Sequence, residues 1–238
     1  MSEQFTELVR RLTAAHGDEL VSVILHGSAV VTGKAARASD YRLIVVTRTL
    51  PAGVLRQAQP VAQWWTAGGF HLPVYFTQAE FMDSLDVFPI EFRQMKRAYR
   101  ILHGADLLAD VTISLVNLRW QIEHELRGKV LRLRGLYLPA SETAEGLTRL
   151  MTDSVVSFVQ LLRPTLELLG DEPPLDRQDV IRRAGERLNM DLQPLERVLR
   201  LRNEPVALLD AEAQDLFAEY LNCVSRIVSA IDRLRPAA

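Results

Sequence analysis

The 238-residue chain has one cysteine and no long apolar run. A single thiol, Cys223, cannot form an internal disulfide, which is typical of a reducing compartment. Cys223 lies in an apolar helical pattern, and this predicts a packed small hydrophobe rather than a nucleophile. The first residues lack the apolar stretch of a signal peptide, and no run approaches the roughly 18 residues that a membrane span needs. We therefore expect a cytoplasmic protein without a membrane partner.

The sequence also has no excess of charge of one sign. The formal net charge is −2, from 28 basic and 30 acidic residues, so the chain as a whole is not drawn to nucleic acid or to an acidic membrane. Aromatic residues make up only 7% of the chain and are not interleaved with the basic positions, which argues further against a nucleic-acid surface. Hydrophobic residues reach 48%, and this is enough for a buried core.

Strand signals and helix signals alternate over the first 110 residues. Short apolar, β-branched runs predict strands at 21–25, 41–47, 71–76 and 100–104, and helical spacing occupies 3–15, 54–67 and 89–98. Thr77 and Glu80 have the spacing of a capping box, so a further helix is expected to begin there. The resulting order, α-β-β-α-β-α-β, indicates a small α/β domain.

After about residue 111 the strand signals stop. Apolar residues at helical spacing continue through 112–138, 143–169, 176–188, 191–202 and 210–234. Segments of this length, separated by short turns, are typical of a helical bundle. The sequence therefore predicts an α+β protein with two domains, a small mixed-sheet domain at 1–110 and an all-α bundle at 111–238.

The most specific segment joins the first two predicted strands. His26-Gly27-Ser28 ends the first strand, and after eleven residues Asp40-Tyr41-Arg42 begins the second. This arrangement resembles the nucleotidyltransferase signature, in which Gly-Ser ends one strand and Asp-x-Asp begins the next. The helical half resembles the bundle that follows this domain in the kanamycin-nucleotidyltransferase-like group. The resemblance covers nearly the whole chain, although its specific part is about twenty residues long.

This resemblance implies a site for a nucleoside triphosphate and Mg²⁺. Gly27 would let the backbone approach the phosphates, and Ser28 would donate a hydroxyl and a backbone N–H. Two acids at period two project from one face of a strand and hold Mg²⁺ against the triphosphate. By the same resemblance, Asp40 is the catalytic and metal-binding acid.

The chain departs from the family pattern at two of its three acid positions. Arg42 stands where the second acid is expected, and the strand at 71–76 contains no carboxylate for the third. A guanidinium at this position repels a divalent cation, so ordinary two-metal catalysis conflicts with the sequence. We expect Arg42 to pair with Asp40 or to bind a phosphate directly through its fork of donors.

Three further residues of the first half have alternative interpretations. His26 lies next to Gly27 and is either close to the phosphates or a filler of the strand end. Glu91 is a helix-start charge, a buried partner of a nearby cation, or a substitute catalytic acid. Glu80 is assigned to the capping box, and His71 to the beginning of the third strand.

A polar stretch in the first helix of the bundle also has two interpretations. The pairs Glu123–Arg127 and Glu125–Lys129 have i,i+4 spacing, which predicts a solvated helix face held by ion pairs. Alternatively, this helix borders a cleft and offers His124, Lys129 or Arg132 to a ligand.

The sequence leaves three functions open. The first is a pseudoenzyme that binds a nucleotide, a small phosphorylated ligand or a protein partner without transferring anything. The second is an active, Mg²⁺-dependent nucleotidyltransferase that modifies a small molecule or a protein. The third is an interaction scaffold, for example a homo-oligomer, in which the α/β half binds no ligand. Fold does not decide among them, because function depends on the site.

Overall fold

The computed structural model describes residues 3–27, 30 and 41–235. The chain forms two compact units, Met1–Ile113 and Ser114–Ala238. The first contains a small sheet with helices, and the second is built from helices. The chain is therefore an α+β protein, as the sequence predicts.

The first unit carries four strands and four α-helices within its described residues. Their bounds are α1 (Glu3–His16), β1 (Leu20–His26), β2 (Arg42–Thr47), α2 (Ala52–Ala67), β3 (Val74–Thr77), α3 (Gln78–Asp83), α4 (Pro89–Arg97) and β4 (Tyr99–Gly104). The strand order in the sheet is β3-β2-β1-β4. Strand β1 is antiparallel to both β2 and β4, whereas β2 and β3 are parallel, so the sheet is mixed.

Helices cover both faces of this sheet, because alternate residues of its central strands are apolar on both sides. Val23 and Leu25 of β1 belong to one buried cluster together with residues of α1 and α2, among them Leu8 and Trp65. Ile24 belongs to a second cluster on the other face, formed with α3, α4 and the segment after β4. Side chains of a strand alternate between the faces, and this is why a continuous apolar run marks the buried strands.

The third strand begins later than predicted. It runs from Val74 to Thr77, and its pairing with β2 begins where Val74 lies opposite Ile44. Pro73 has no backbone N–H to donate, so the ladder can begin only after it. His71 is consequently an exposed residue before the strand, and the prediction that it begins the strand was wrong.

Gly104 ends β4 in a conformation that suits glycine. Its φ is +77°, and a Cβ at this position would lie 2.0 Å from the carbonyl oxygen of Val21. The neighbouring Ser22 hydroxyl donates a hydrogen bond of 2.7 Å to the carbonyl of Ala105. The chain therefore leaves the sheet in close contact with the backbone of β1, where no side chain fits.

The second unit contains five long or medium helices in its described residues. They are α5 (Leu115–Ala140), α6 (Ala144–Leu168), α7 (Arg177–Leu188), α8 (Gln193–Asn203) and α9 (Asp210–Asp232). Side chains of Ser114, Thr143 and Asp176 accept hydrogen bonds from the first backbone N–H groups of α5, α6 and α7. Among the described helices of the chain, none has the length and apolar character required to cross a membrane.

Candidate functional site

The predicted phosphate site lies at the edge of the sheet where β1 ends. His26, the last residue of β1, is in register with Arg42 on β2 and with Tyr99 on β4. Both neighbours are the first residues of their strands, because β1 is antiparallel to each of them. The antiparallel pairing thus brings together three polar side chains that are far apart in the sequence, and Gly27 follows directly.

Gly27 adopts a backbone conformation that side chains disfavour. Its φ is +119°, in the region that glycine enters without steric cost. Its N–H donates a hydrogen bond of 3.3 Å to the carbonyl of Ala98, and its own carbonyl accepts one of 3.0 Å from Val30. The N–H of Gly27 is therefore already used within the protein, and what Gly27 offers a ligand is its missing side chain.

His26 is held in its neutral form at this edge. Burial lowers the pKa of His26 to about 4, and the positive charge of Arg42 adds to the effect. At neutral pH its imidazole can donate one hydrogen bond and accept another, but it carries no charge. The positive charge at this end of the β1–β2 pair comes from Arg42.

Arg42 is exposed at the first position of β2. No residue in the described part of the chain pairs with its guanidinium by an ion pair or hydrogen bond. The predicted pairing of Arg42 with Asp40 lies outside the described residues. The fork of five N–H donors on Arg42 suits a planar or tetrahedral anion. Tyr99, on the other side of His26, donates a hydrogen bond of 3.0 Å to Asp106, and burial together with this contact raises the pKa of Tyr99.

The described donors at this edge do not fit a Mg²⁺ site. Mg²⁺ requires oxygen ligands, chiefly carboxylates, in octahedral geometry. Strand β3 contributes Val74–Thr77, without a carboxylate, and Arg42 places a guanidinium there. Within residues 3–27, 30 and 41–235, no three His, Cys, Asp or Glu residues come together as metal ligands. Ser28 and Asp40, both predicted for this site, lie outside the described residues.

The two candidate replacement acids are both found in the first turn of a helix. Glu80 forms the predicted capping box, because its carboxylate accepts a bond of 2.8 Å from the N–H of Thr77 while its own N–H donates to the Thr77 hydroxyl. Glu91 is exposed in the first turn of α4, so any cation that pairs with it does so at the surface rather than in a buried position. Its position agrees with a helix-start charge that the helix dipole favours.

The bundle contains a separate candidate site, a groove of about 500 Å³ between α5 and α6. We call it the α5–α6 groove. Its charged and titratable lining residues are His124, Glu125, Lys129, Arg132 and Asp153. His124 and Lys129, which the sequence singles out, are therefore neighbours in one concave surface rather than parts of a uniformly solvated face.

Only one of the two predicted ion pairs on α5 forms. Glu123 accepts hydrogen bonds of 2.7 Å from both Arg119 and Arg127. Burial alone would raise the pKa of Glu123, but the two guanidinium groups outweigh it and lower that pKa. The predicted pair Glu125–Lys129 is absent, and neither residue has an ion pair or a hydrogen bond to any described side chain. Both residues line the groove instead.

Sequence reasoning missed two residues of these sites. Tyr99 was not predicted next to His26, since only the pairing of β1 with β4 brings them together. Asp153 faces the α5–α6 groove from α6, and nothing in its local sequence distinguishes it from a solvent-exposed acid. The predicted strand at 100–104 was the one signal that pointed towards Tyr99.

Neither a family model nor a curated protein sequence matches the chain. Among solved structures, the chain is similar to the crystal structure of spectinomycin adenyltransferase AAD(9) from Enterococcus faecialis with ATP and spectinomycin. The TM-score is 0.53, the identity is 13%, and the match covers 94% of this chain and 100% of the other. At this identity the likeness concerns the fold, which is nucleotidyltransferase-like over both units.

Proposed function

We propose that the β1 edge of the first unit binds the phosphates of a nucleotide, and that the chain does so without transferring the nucleotide. In this proposal Arg42 binds the phosphate and Gly27 leaves room for it. Neutral His26 offers one further hydrogen bond from between Arg42 and Tyr99. Ser28, which follows Gly27 in the sequence, is included as a second donor on the strength of the family resemblance.

The observation that carries this proposal is the position of Arg42 at the end of the β1–β2 pair. Arg42 is exposed there, and no described residue pairs with it, beside a backbone position that has no side chain. Arginine binds phosphate oxygens in bidentate fashion, and such charge-assisted hydrogen bonds are about twice as strong as neutral ones. An exposed arginine at a strand end next to a positive-φ glycine therefore favours an oxyanion ligand.

The fold supports a nucleotide as the source of that oxyanion. The similar structure of AAD(9) contains ATP together with its small-molecule substrate. The present chain has the same fold class and keeps the Gly27-Ser28 step of the nucleotidyltransferase signature. A nucleoside triphosphate, with its three linked phosphates, is accordingly the ligand that we test first.

The loss of two of the three family acids favours nucleotide binding without nucleotidyl transfer. Of the three positions at which the family pattern has acids, this sequence keeps Asp40 alone. Arg42 neutralises phosphate charge directly, and this substitutes for part of what a divalent cation does in binding. It does not supply the two carboxylates that would hold such a cation in place, so the binding function survives where the transfer function does not.

The alternative is an active enzyme that transfers a nucleotidyl group to a small molecule or a protein. Two observations favour it, namely the retained Asp40 and the structural likeness to an adenyltransferase that acts on a small molecule. This alternative requires Mg²⁺-dependent release of pyrophosphate from ATP or GTP, and loss of that release in Asp40→Ala.

Calorimetric titration of ATP and GTP into the full chain, with EDTA and then with Mg²⁺, tests the proposal. We expect binding in EDTA that Mg²⁺ does not strengthen. Arg42→Met should weaken it by about tenfold or more, which corresponds to about 1.4 kcal/mol for one charged contact. Arg48→Met is the matched control, because Arg48 follows the other end of the same strand, roughly 20 Å away.

The same titration separates the alternatives. Binding that requires Mg²⁺, accompanied by pyrophosphate release, would replace the proposal with the active enzyme. No saturable binding under either condition would instead favour the interaction scaffold, and light scattering would then show a stable oligomer. Equal losses in Arg42→Met and Arg48→Met would remove Arg42 from the site.

A further inference from the structure

We propose that the α5–α6 groove is a second ligand site, specific for a small zwitterion that has an apolar side group. The groove belongs entirely to the helical unit, and the inference does not depend on nucleotide binding by the first unit. It rests on the shape of the groove, on charges left unpaired, and on the balance of their signs.

The shape of the groove depends on a missing side chain. Gly128 lines it at the middle of α5, and a Cβ at this position would meet nothing within 4 Å. Glycine in the middle of a helix is destabilising by about 1 kcal/mol relative to alanine, so helix formation alone does not favour it. Its effect here is to keep the groove open, and a volume of about 500 Å³ lies in the range of small-molecule sites.

Three of the charged residues of the groove, Glu125, Lys129 and Arg132, form no ion pair within the described part of the chain. Glu125 and Lys129 are one helical turn apart and have the spacing of an ion pair, yet they do not form one. Lys129 is half-buried, and Arg132 lies beside it one turn further on. Two neighbouring cations in one concave surface favour an anionic ligand group that contacts both. We assign the anionic group of the ligand to Lys129 and Arg132.

The acids of the groove would bind the cationic group of the ligand. Asp153 lines the same groove from α6, and its ion-pair contact among the described residues, with Arg202, is long at 3.7 Å. Together with Glu125 it gives the groove two carboxylates against two permanent cations. A polyanion such as nucleic acid would be repelled by the acids, and a simple amine by the cations. The balanced set matches a molecule that carries one charge of each sign.

The floor of the groove is apolar. Leu133 and Phe158 are buried there, and Leu136 and Leu150 contribute at its sides. Polar groups fix the orientation of a ligand in such a site, while the exposed parts of Leu136 and Leu150 offer it apolar contact area. The ligand class that combines these features is a free amino acid, or a similar amino-carboxylate, with an apolar side chain.

Three probes that share a phenylethyl skeleton test this assignment. L-phenylalanine carries both charges, 3-phenylpropionate lacks the amine, and phenethylamine lacks the carboxylate. Each is titrated into the ¹⁵N-labelled full chain, without nucleotide, while the amide resonances of α5 and α6 are followed by NMR. We expect saturable shifts in the groove with L-phenylalanine, and binding at least about tenfold weaker with either singly charged probe.

Substitutions then identify the two ends. Lys129→Met should weaken the binding of L-phenylalanine and 3-phenylpropionate but not that of phenethylamine. Asp153→Asn should weaken the binding of L-phenylalanine and phenethylamine but not that of 3-phenylpropionate. Gly128→Leu places a bulky side chain in the groove, at a position where its Cβ meets no atom within 4 Å, and should abolish binding of all three. Arg134→Met on the same helix, outside the groove, is the matched control. The assignment is overturned by absence of saturable shifts, by equal affinity for the singly charged probes, or by unchanged binding in Gly128→Leu.

Discussion

His26 and Arg42 lie opposite each other in the antiparallel pairing of β1 and β2. Burial lowers the pKa of His26, and the adjacent guanidinium lowers it further, to about 4. At neutral pH, Arg42 therefore carries a positive charge, whereas His26 remains a neutral hydrogen-bonding group. Of these two residues, only Arg42 would offer a bound phosphate a positive charge.

This relationship predicts how stability depends on pH. The pKa of His26 is lower in the folded chain than the value of about 6.5 in the unfolded chain, so the unfolded state binds the proton more readily. The resulting contribution is fully present above pH 6.5 and is lost as the pH falls towards 4. His26→Gln should therefore show a smaller loss of unfolding free energy over this interval, as measured by urea denaturation.

A second histidine calibrates that measurement. Burial also lowers the pKa of His16, whose imidazole lies 3.4 Å from the Tyr75 hydroxyl, so His16→Gln should change the pH dependence in the same direction. Parallel curves for wild type and His26→Gln between pH 6.5 and 4 would show that His26 is not held neutral.

Replacing the charge at position 42 should change the role of metal in nucleotide binding. Arg42→Asp restores two acids at period two, Asp40 and the new carboxylate, and removes the guanidinium. We expect ATP binding in EDTA to weaken by about tenfold or more, and added Mg²⁺ to recover part of it. The ratio of the two dissociation constants is obtained by calorimetry.

Arg42→Met is the control for this change, because it removes the positive charge without adding a ligand for the metal. A gain with Mg²⁺ in both variants would indicate that the guanidinium merely blocks a metal site formed by other residues. A gain in neither would place position 42 away from the phosphates.

Gly104→Ala should destabilise the first unit strongly. A Cβ would lie 2.0 Å from the carbonyl oxygen of Val21, so the end of β4 or β1 must move. The left-handed conformation adds about 1–2 kcal/mol and the steric overlap about 1–3 kcal/mol, and we expect a loss of about 2–5 kcal/mol in the free energy of unfolding.

Gly17→Ala separates the two contributions. Gly17 has a φ of +54°, but nothing lies within 4 Å of a Cβ there. Its loss should stay near the conformational part alone, about 1–2 kcal/mol. If urea denaturation gave equal losses of unfolding free energy for the two alanine variants, the close approach of Gly104 to Val21 would not contribute to the destabilisation.

Cys223 should be unreactive in the folded protein. It is buried in α9, and burial raises the pKa of its thiol to about 12, so almost no thiolate is present at neutral pH. A thiol reagent should modify it only after denaturation. Ser229→Cys places a second thiol at an exposed position of the same helix and should add one rapidly reacting equivalent. Rapid modification of wild-type protein would contradict the packed position of Cys223.

Local sequence determined most of the fold. The β-branched runs of β1 and β2 and the helical spacing of the bundle were strong signals, because strand and helix periodicities arise within a few residues. The capping box at Thr77 and Glu80 was predicted from spacing and confirmed, since both of its hydrogen bonds are local. The start of β3 was missed because strand ends depend on the partner strand, which local sequence does not contain.

The two candidate sites were likewise only partly predictable from the sequence. The sequence by itself determined which residue types are present, namely the Gly27-Ser28 step, Arg42 in place of an acid, and a charged segment in α5. Only the tertiary structure decided which residues lie next to them. Antiparallel pairing placed His26 between Arg42 and Tyr99, and packing of α6 against α5 turned Lys129 from a predicted ion-pair partner into a groove residue. Burial and charge act through space, so these properties emerge only when distant segments meet.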